Sequence, residues 1–135
     1  MLEPDRIERA TRLLDDRFGL DALWLFGSFA TGAVTAESDV DLAALLHRSP
    51  GIIEWMDTQE EVGQLLGHRV DLVDLRRASP ILALQVLRHG RLLVDRHPGC
   101  RQRFVAGVPG RYEDLKIIRR AAERGLLERV RRGRS

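Results

Sequence analysis

Between Pro4 and Gly19 the apolar residues Ile7, Ala10, Leu13, Leu14 and Phe18 recur at helical spacing, with a proline where a first turn tolerates one and a glycine where the run stops. This predicts a first helix. The pattern then tightens. ALWLF at residues 22–26 is a short apolar run ending at Gly27-Ser28, and VDLAALL at 40–46 is another; both predict buried strands. PGIIEWMDTQEEVGQLLG opens on Pro50, ends on Gly67 and places Ile52, Ile53, Met56, Val62, Leu65 and Leu66 on one face, predicting a long second helix. RVDLVDL at 69–75 predicts a third strand, SPILALQVLRHG a helix entered at Ser79-Pro80 and closed at Gly90, and RLLVD at 91–95 a fourth strand. HPGCRQRFVAGVPG, rich in turn formers, reads as a loop. RYEDLKIIRRAAERGLLERV follows, where Leu115, Ile118, Ala122, Leu126 and Val130 predict a last amphipathic helix interrupted at Gly125. Helices and strands intermixed in this order predict an α/β (α+β) fold.

Composition sets limits on this picture. A chain of 135 residues is one domain of ordinary size, and 44% apolar with 31% charged residues is the balance of a soluble globular protein. No apolar run approaches the roughly 20 residues that span a bilayer, and MLEPDRIERA has no apolar stretch for secretion, so no membrane association and a cytoplasmic location are expected. The single Cys100 has no partner for an internal disulfide or a zinc ribbon. The net charge of +2 conceals an asymmetry, because residues 111–135 carry 9 basic and 4 acidic side chains. These charges are interleaved with apolar residues, the pattern of a solvated helix face, and the chain has no recognisable nucleic-acid motif; no direct nucleic-acid binding is expected.

The chemistry is concentrated in GSFATGAVTAESDVDL, residues 27–42. Side chains alternate across a strand, so Asp39 and Asp41 share one face, about 7 Å apart. Two carboxylates that close repel one another unless one is protonated or a cation lies between them, and oxygen-only ligands that also accept phosphate favour Mg²⁺. Asp71 supplies a third carboxylate inside an apolar run, where a charge is costly unless compensated. Asp74 competes with it but points to the opposite face of its strand. Gly27 and Ser28 fit the same site from another side: a glycine lets backbone approach a ligand, and the following SFATGA can open a helix whose free N–H groups attract an anion. His47, His68, His89 and His97 show no ligand spacing and read as surface or capping residues; Trp24 and Trp55 read as core. Tyr112 reads as a packing or partner contact.

The string GSFATGAVTAESDVDL resembles the signature of the DNA polymerase β-like nucleotidyltransferases. The short length, together with HRVDLVDLRRASPILALQVLRHGRLLVD, resembles the minimal nucleotidyltransferase (MNT) antitoxins paired with HEPN-domain toxins. Thr31 is a departure, standing where relatives often have a basic residue. The resemblance implies a mixed sheet of about four strands flanked by helices in a single nucleotidyltransferase domain, 1–135, divided into a catalytic core at 1–95 and a loop and partner-docking helix at 96–135. It implies that Gly27 and Ser28 hold the β- and γ-phosphates of ATP, that Asp39 and Asp41 bind two Mg²⁺ ions, and that Asp71 joins one ion and orients or deprotonates the attacking hydroxyl. The acceptor it implies is a tyrosine of a HEPN RNase toxin encoded nearby, with which the antitoxin forms a hetero-oligomer. Two alternatives stay open: a non-catalytic antitoxin acting by occlusion, and a small-molecule nucleotidyltransferase of the aminoglycoside-modifying type. A polymerase is excluded, because the chain has no room for template-binding modules.

Overall fold

The computed structural model describes residues 2–32 and 39–133, which form four strands and five helices. Helix α1, Pro4–Phe18, buries Ala10, Thr11, Leu14 and Phe18 and ends at Gly19, whose φ of 71° lets the chain turn directly into strand β1, Leu20–Phe26. A four-residue helix α2, Ser28–Thr31, follows; then strand β2, Val40–Leu46, and helix α3, Ile52–Leu66. Strand β3, Val70–Asp74, helix α4, Pro80–His89, strand β4, Arg91–Asp95, and helix α5, Pro98–Gly133, complete the order.

The strands form one mixed sheet in the order β3-β2-β1-β4. β1 is antiparallel to both β2 and β4, and β2 is parallel to β3. Side-chain alternation divides the core in two. Leu23 and Leu25 of β1 and Val40, Leu42 and Ala44 of β2 pack with Leu14 and Phe18 of α1 and Val62 and Leu66 of α3. Ala22 and Trp24 of β1 and Ala43 and Leu45 of β2 pack on the other face with Ala83 and Val86 of α4 and Phe104 and Val108 of α5. Leu14 is fully buried, and truncating such a side chain to alanine costs about 2–5 kcal/mol.

The expected fold class is the observed one, and strands β2 and β4 run over the predicted residues. β1 begins two residues earlier than the apolar run suggests, at Leu20, and so takes in Asp21. The segment 97–110 departs from expectation: from Pro98 onward it is the first part of one continuous α5, and the helix is not broken at Gly125. A proline in a helix interior costs about 3 kcal/mol or more, and Pro109 is such a residue. Burial of Phe104 and Val108, at about 1.5–3 kcal/mol each, offsets that cost, and the guanidinium groups of Arg76 and Arg111 lie over the Phe104 ring. Tertiary packing therefore overrides the turn-forming composition. Tyr112 accordingly sits well inside α5 rather than opening a helix, with the Lys116 ammonium 5.0 Å from its ring. Farther along, Ile117, Ile118, Leu126 and Leu127 are exposed.

Candidate active site

Val40, Leu42 and Ala44 point into the α1–α3 side of the core, which turns Asp41 to the opposite face, at the end of the β2 row that continues through Ala43 and Leu45. There Asp41 pairs with Phe26 on one side and with Asp71 on the other. Parallel pairing in register puts the two carboxylates on the same face of adjacent strands. Asp39 lies one residue before the strand. Burial first, then the negative charges of Asp71 and Asp39, push the Asp41 carboxyl above the usual carboxylate range. Asp39, Asp41 and Asp71 thus form a single electronegative cluster.

Gly27 closes this cluster from the β1 side. Its φ of 70° is left-handed, and a Cβ built on it would overlap the Asp41 carboxylate. Only a glycine lets the backbone pass so close to that group. Ser28 follows at the start of α2, where the Gly27 carbonyl accepts from the N–H groups of Ala30 and Thr31. The Thr31 hydroxyl donates back to the carbonyls of Gly27 and Ser28. Residues 33–38, the middle of the glycine-serine stretch, lie outside the described residues.

The third carboxylate is positioned by the edge of the sheet. β3 is an edge strand, and α3 satisfies its outward backbone: the Leu72 N–H donates to Gln59 Oε1 at 2.8 Å, and the Leu72 carbonyl accepts from Trp55 Nε1 at 3.0 Å. This clamp fixes β3 one residue from Asp71. Asp74 is in register with Ala44 and points the other way. It is buried, its carboxylate accepts from the Arg76 N–H at 3.2 Å, and burial raises its pKa against the opposing pull of that N–H, Arg77 and Arg76. Asp74 is an anchor for the turn after β3. An open groove of about 930 Å³ runs between α3 and β3, with Asp39 and Asp71 on its wall beside Gln59, Glu60, Gln64, His68 and Arg69. Asp41 is set back from it, against Gly27. The arrangement can hold a hard cation on three carboxylates at the rim of a groove large enough for a nucleotide.

The profile of the family described as Polymerase beta, Nucleotidyltransferase matches residues 8–98, which span β1 through β4 and all of this cluster. The chain belongs to the polymerase beta nucleotidyltransferase family. Among relatives of this nucleotidyltransferase, the protein adenylyltransferase MntA of Shewanella oneidensis is 36% identical over 74 residues, 55% of this chain and 53% of that protein. The aligned region thus spans about half the length of that relative. The protein adenylyltransferase MntA of Thermococcus cleftensis is 35% identical over 75 residues, 56% of this chain and 76% of that protein. A toxin-antitoxin structure with AMP-PNP superimposes with a TM-score of 0.78 at 28% identity, covering 93% of this chain and 99% of that one. A tri-AMPylated Shewanella oneidensis HEPN toxin in complex with its MNT antitoxin gives a TM-score of 0.70 at 27% identity, covering 90% and 96%.

His47 and His97 are exposed and stand at element ends, as the sequence suggests, and the fold also brings them together. His47 and His97 are 50 positions apart, yet both meet the fully buried Asp21: His97 Nδ1 lies 2.8 Å and His47 Nε2 3.0 Å from Asp21 Oδ1. The linear sequence carries no ligand spacing because the cluster is assembled by topology. β2 and β4 flank β1 and run antiparallel to it, so the residues following both strands arrive beside the start of β1. An acidic residue at the head of an otherwise apolar strand was the available signal, hidden by reading that strand from Ala22.

Proposed function

We propose that this nucleotidyltransferase transfers AMP from ATP to a tyrosine hydroxyl of a HEPN-domain toxin and thereby silences it. The observation that carries the reading is the approach of the Gly27 backbone to Asp41, itself beside Asp39 and Asp71, in a chain of this family. The names of the relatives point the same way, since they are protein adenylyltransferases and since a HEPN toxin bound to an MNT antitoxin is AMPylated.

In this reading Gly27 and Ser28 receive the β- and γ-phosphates. Gly27 does so because a glycine lets the loop backbone lie directly against the Asp41 carboxylate. Asp39, Asp41 and Asp71 hold two Mg²⁺ ions. The donor set fits: burial first, and then repulsion from Asp71 and Asp39, disfavour the charged form of Asp41, and a divalent cation held by the three carboxylates would relieve that repulsion. When bound, Mg²⁺ supplies charge stabilisation to the attacking and departing oxygens of an in-line displacement. Asp71, on the wall of the groove, orients the acceptor hydroxyl and takes its proton. The acceptor is delivered by a protein because α5 leaves Ile117, Ile118, Leu126 and Leu127 exposed among basic side chains, a face suited to docking a partner.

The test is direct. The chain, ATP and Mg²⁺ are incubated with the HEPN protein encoded beside it, and intact-protein mass spectrometry should show AMP added to a tyrosine of that protein. Tight binding and inhibition without a mass change would select occlusion. AMP transfer to a hydroxylated small molecule alone would select the small-molecule alternative.

A further inference from the structure

At the end of the sheet remote from Gly27, the geometry points to a second metal site, a Zn²⁺ centre formed by Asp21, His47 and His97. It is distinct from the carboxylate cluster: Asp41 pairs with Phe26, which stands five positions along β1 from Asp21, roughly 17 Å at strand rise.

Four observations carry the assignment. One ligand atom from each of the three residues lies within 4.8 Å of the others; Asp21 Oδ1 is hydrogen-bonded to His97 Nδ1 at 2.8 Å and lies 3.0 Å from His47 Nε2, and a small outward shift of the two rings would open these separations to the roughly 3.3 Å edge of a Zn²⁺ ligand tetrahedron. Asp21 is fully buried, yet its second oxygen, Oδ2, accepts no hydrogen bond; Arg76 Nη2 lies 3.6 Å from it, near enough to steady the carboxylate electrostatically. A buried carboxylate incompletely satisfied by hydrogen bonds is costly and calls for further positive charge.

The backbone, too, is arranged for this side chain. Leu20 pairs with Leu46 and Ala22 with Leu45, so Asp21 is the extra residue of a β-bulge, a device that re-aims a side chain. The Asp21 carbonyl accepts from the N–H groups of both Arg96 and His97, and the Gly19 carbonyl accepts from the His47 N–H. Gly19 also leaves room for the imidazole: a Cβ there would lie 3.1 Å from His47 Cδ2. Both histidines are therefore held in place by their backbone. Two imidazole nitrogens and one carboxylate oxygen select a borderline first-row ion over Mg²⁺, and half-exposed rings leave a fourth position for water. Such an ion would tie the ends of β2 and β4 to β1 immediately before α5 begins at Pro98.

Zn²⁺ titration of the full chain by calorimetry in excess Mg²⁺, with Co²⁺ absorption as a spectroscopic readout, tests this. The expected result is one Zn²⁺ per chain, tetrahedral-type visible bands with Co²⁺ and a raised Tm. His47→Gln and His97→Gln replace half-exposed side chains and need not disturb the core; each should abolish the Co²⁺ bands and the Tm increase. The double variant Asp39→Asn/Asp41→Asn should keep both. Absence of stoichiometric Zn²⁺ binding by the folded wild type overturns the site, and so does binding that survives both histidine variants or disappears in the aspartate double variant.

Discussion

Asp41 and Asp71 stand opposite one another as register partners across the parallel β2–β3 pair, and each adds to the other's negative environment. Parallel pairing is what makes a short site from residues 30 positions apart: whatever β2 presents at its first turn, β3 repeats at the same height on the same face. Replacing both Asp39 and Asp41 by asparagine removes charge and almost no volume. Transfer of label from α-labelled ATP should fall to background while the circular dichroism spectrum is unchanged. Retained transfer would remove these residues from the mechanism.

Asp71 and Asp74 should respond unequally. Asp71 lines the groove, whereas Asp74 projects from the opposite face of β3, is not part of the groove's wall and anchors the turn after the strand. Asp71→Asn should lower turnover by roughly 10²–10⁴-fold, the range for a lost general base, and Asp74→Asn should leave turnover near wild type. Equal losses in steady-state assays at saturating ATP would show that the two faces of β3 have been assigned the wrong roles.

Asp74 also carries a pH signature. Burial raises its pKa in the folded state, so the folded protein holds that proton more tightly than the unfolded chain does. The resulting stabilisation is complete below the unfolded carboxylate pKa and is lost as pH rises through the folded one. Asparagine has no such titration. The Tm of Asp74→Asn minus that of wild type should therefore increase from acid to neutral pH; a difference that does not vary with pH would remove Asp74 as the source.

Gly27 and Gly32 differ in backbone and in surroundings. Gly32 is αL, with φ 80° and ψ 3°, and no described atom lies within 4 Å of a Cβ there, whereas Gly27, with φ 70° and ψ −152°, is in a region kept almost entirely by glycine and a Cβ there meets Asp41. Gly32→Ala should cost only the backbone term, about 1–2 kcal/mol. Gly27→Ala should cost more and should also displace the Asp41 carboxylate, with loss of ATP binding by calorimetry. Equal stability losses and intact ATP binding in both would mean that Asp41 yields without consequence.

The parts of this fold that were legible are those where local pattern and tertiary environment agree. VDLAALL is apolar on both faces because β2 lies inside the sheet, and the one position breaking that run, Asp41, is where the core ends. Pro80 and Gly90 bracket α4 because the Ser79 hydroxyl accepts from the Leu82 N–H at one end and the chain leaves for β4 at the other. The first half of α5 was illegible for the opposite reason: Gly99, Gly107, Pro109 and Gly110 all speak for a turn, and the decisive residues, Phe104 and Val108, declare themselves only through a four-residue spacing and a partner surface on α4 and the sheet. At the candidate site, the carboxylate pattern could be read because strand alternation is local. The Asp21 cluster could not, because no local rule brings residues 21, 47 and 97 together; only the strand order does.

The exposed face of α5 makes the last prediction. Ile117, Ile118, Leu126 and Leu127 are each more than half exposed on a helix whose earlier residues Phe104 and Val108 are packed. Apolar side chains that the fold itself does not cover contribute little to its stability, so Ile118→Glu and Leu126→Glu should leave the Tm of the isolated chain close to wild type. If this face receives the acceptor protein, the same substitutions remove apolar contacts and place a charge in the interface, and affinity for the HEPN protein should fall tenfold or more, about 1.4 kcal/mol at the least. AMP transfer at limiting acceptor should fall with it and recover at saturating acceptor, since the carboxylates and Gly27 are untouched. Isothermal titration paired with transfer assays at two acceptor concentrations measures both quantities. Unchanged affinity in both variants would move the docking surface off this part of α5; a loss of transfer that saturating acceptor does not restore would show that the helix acts on chemistry rather than on binding.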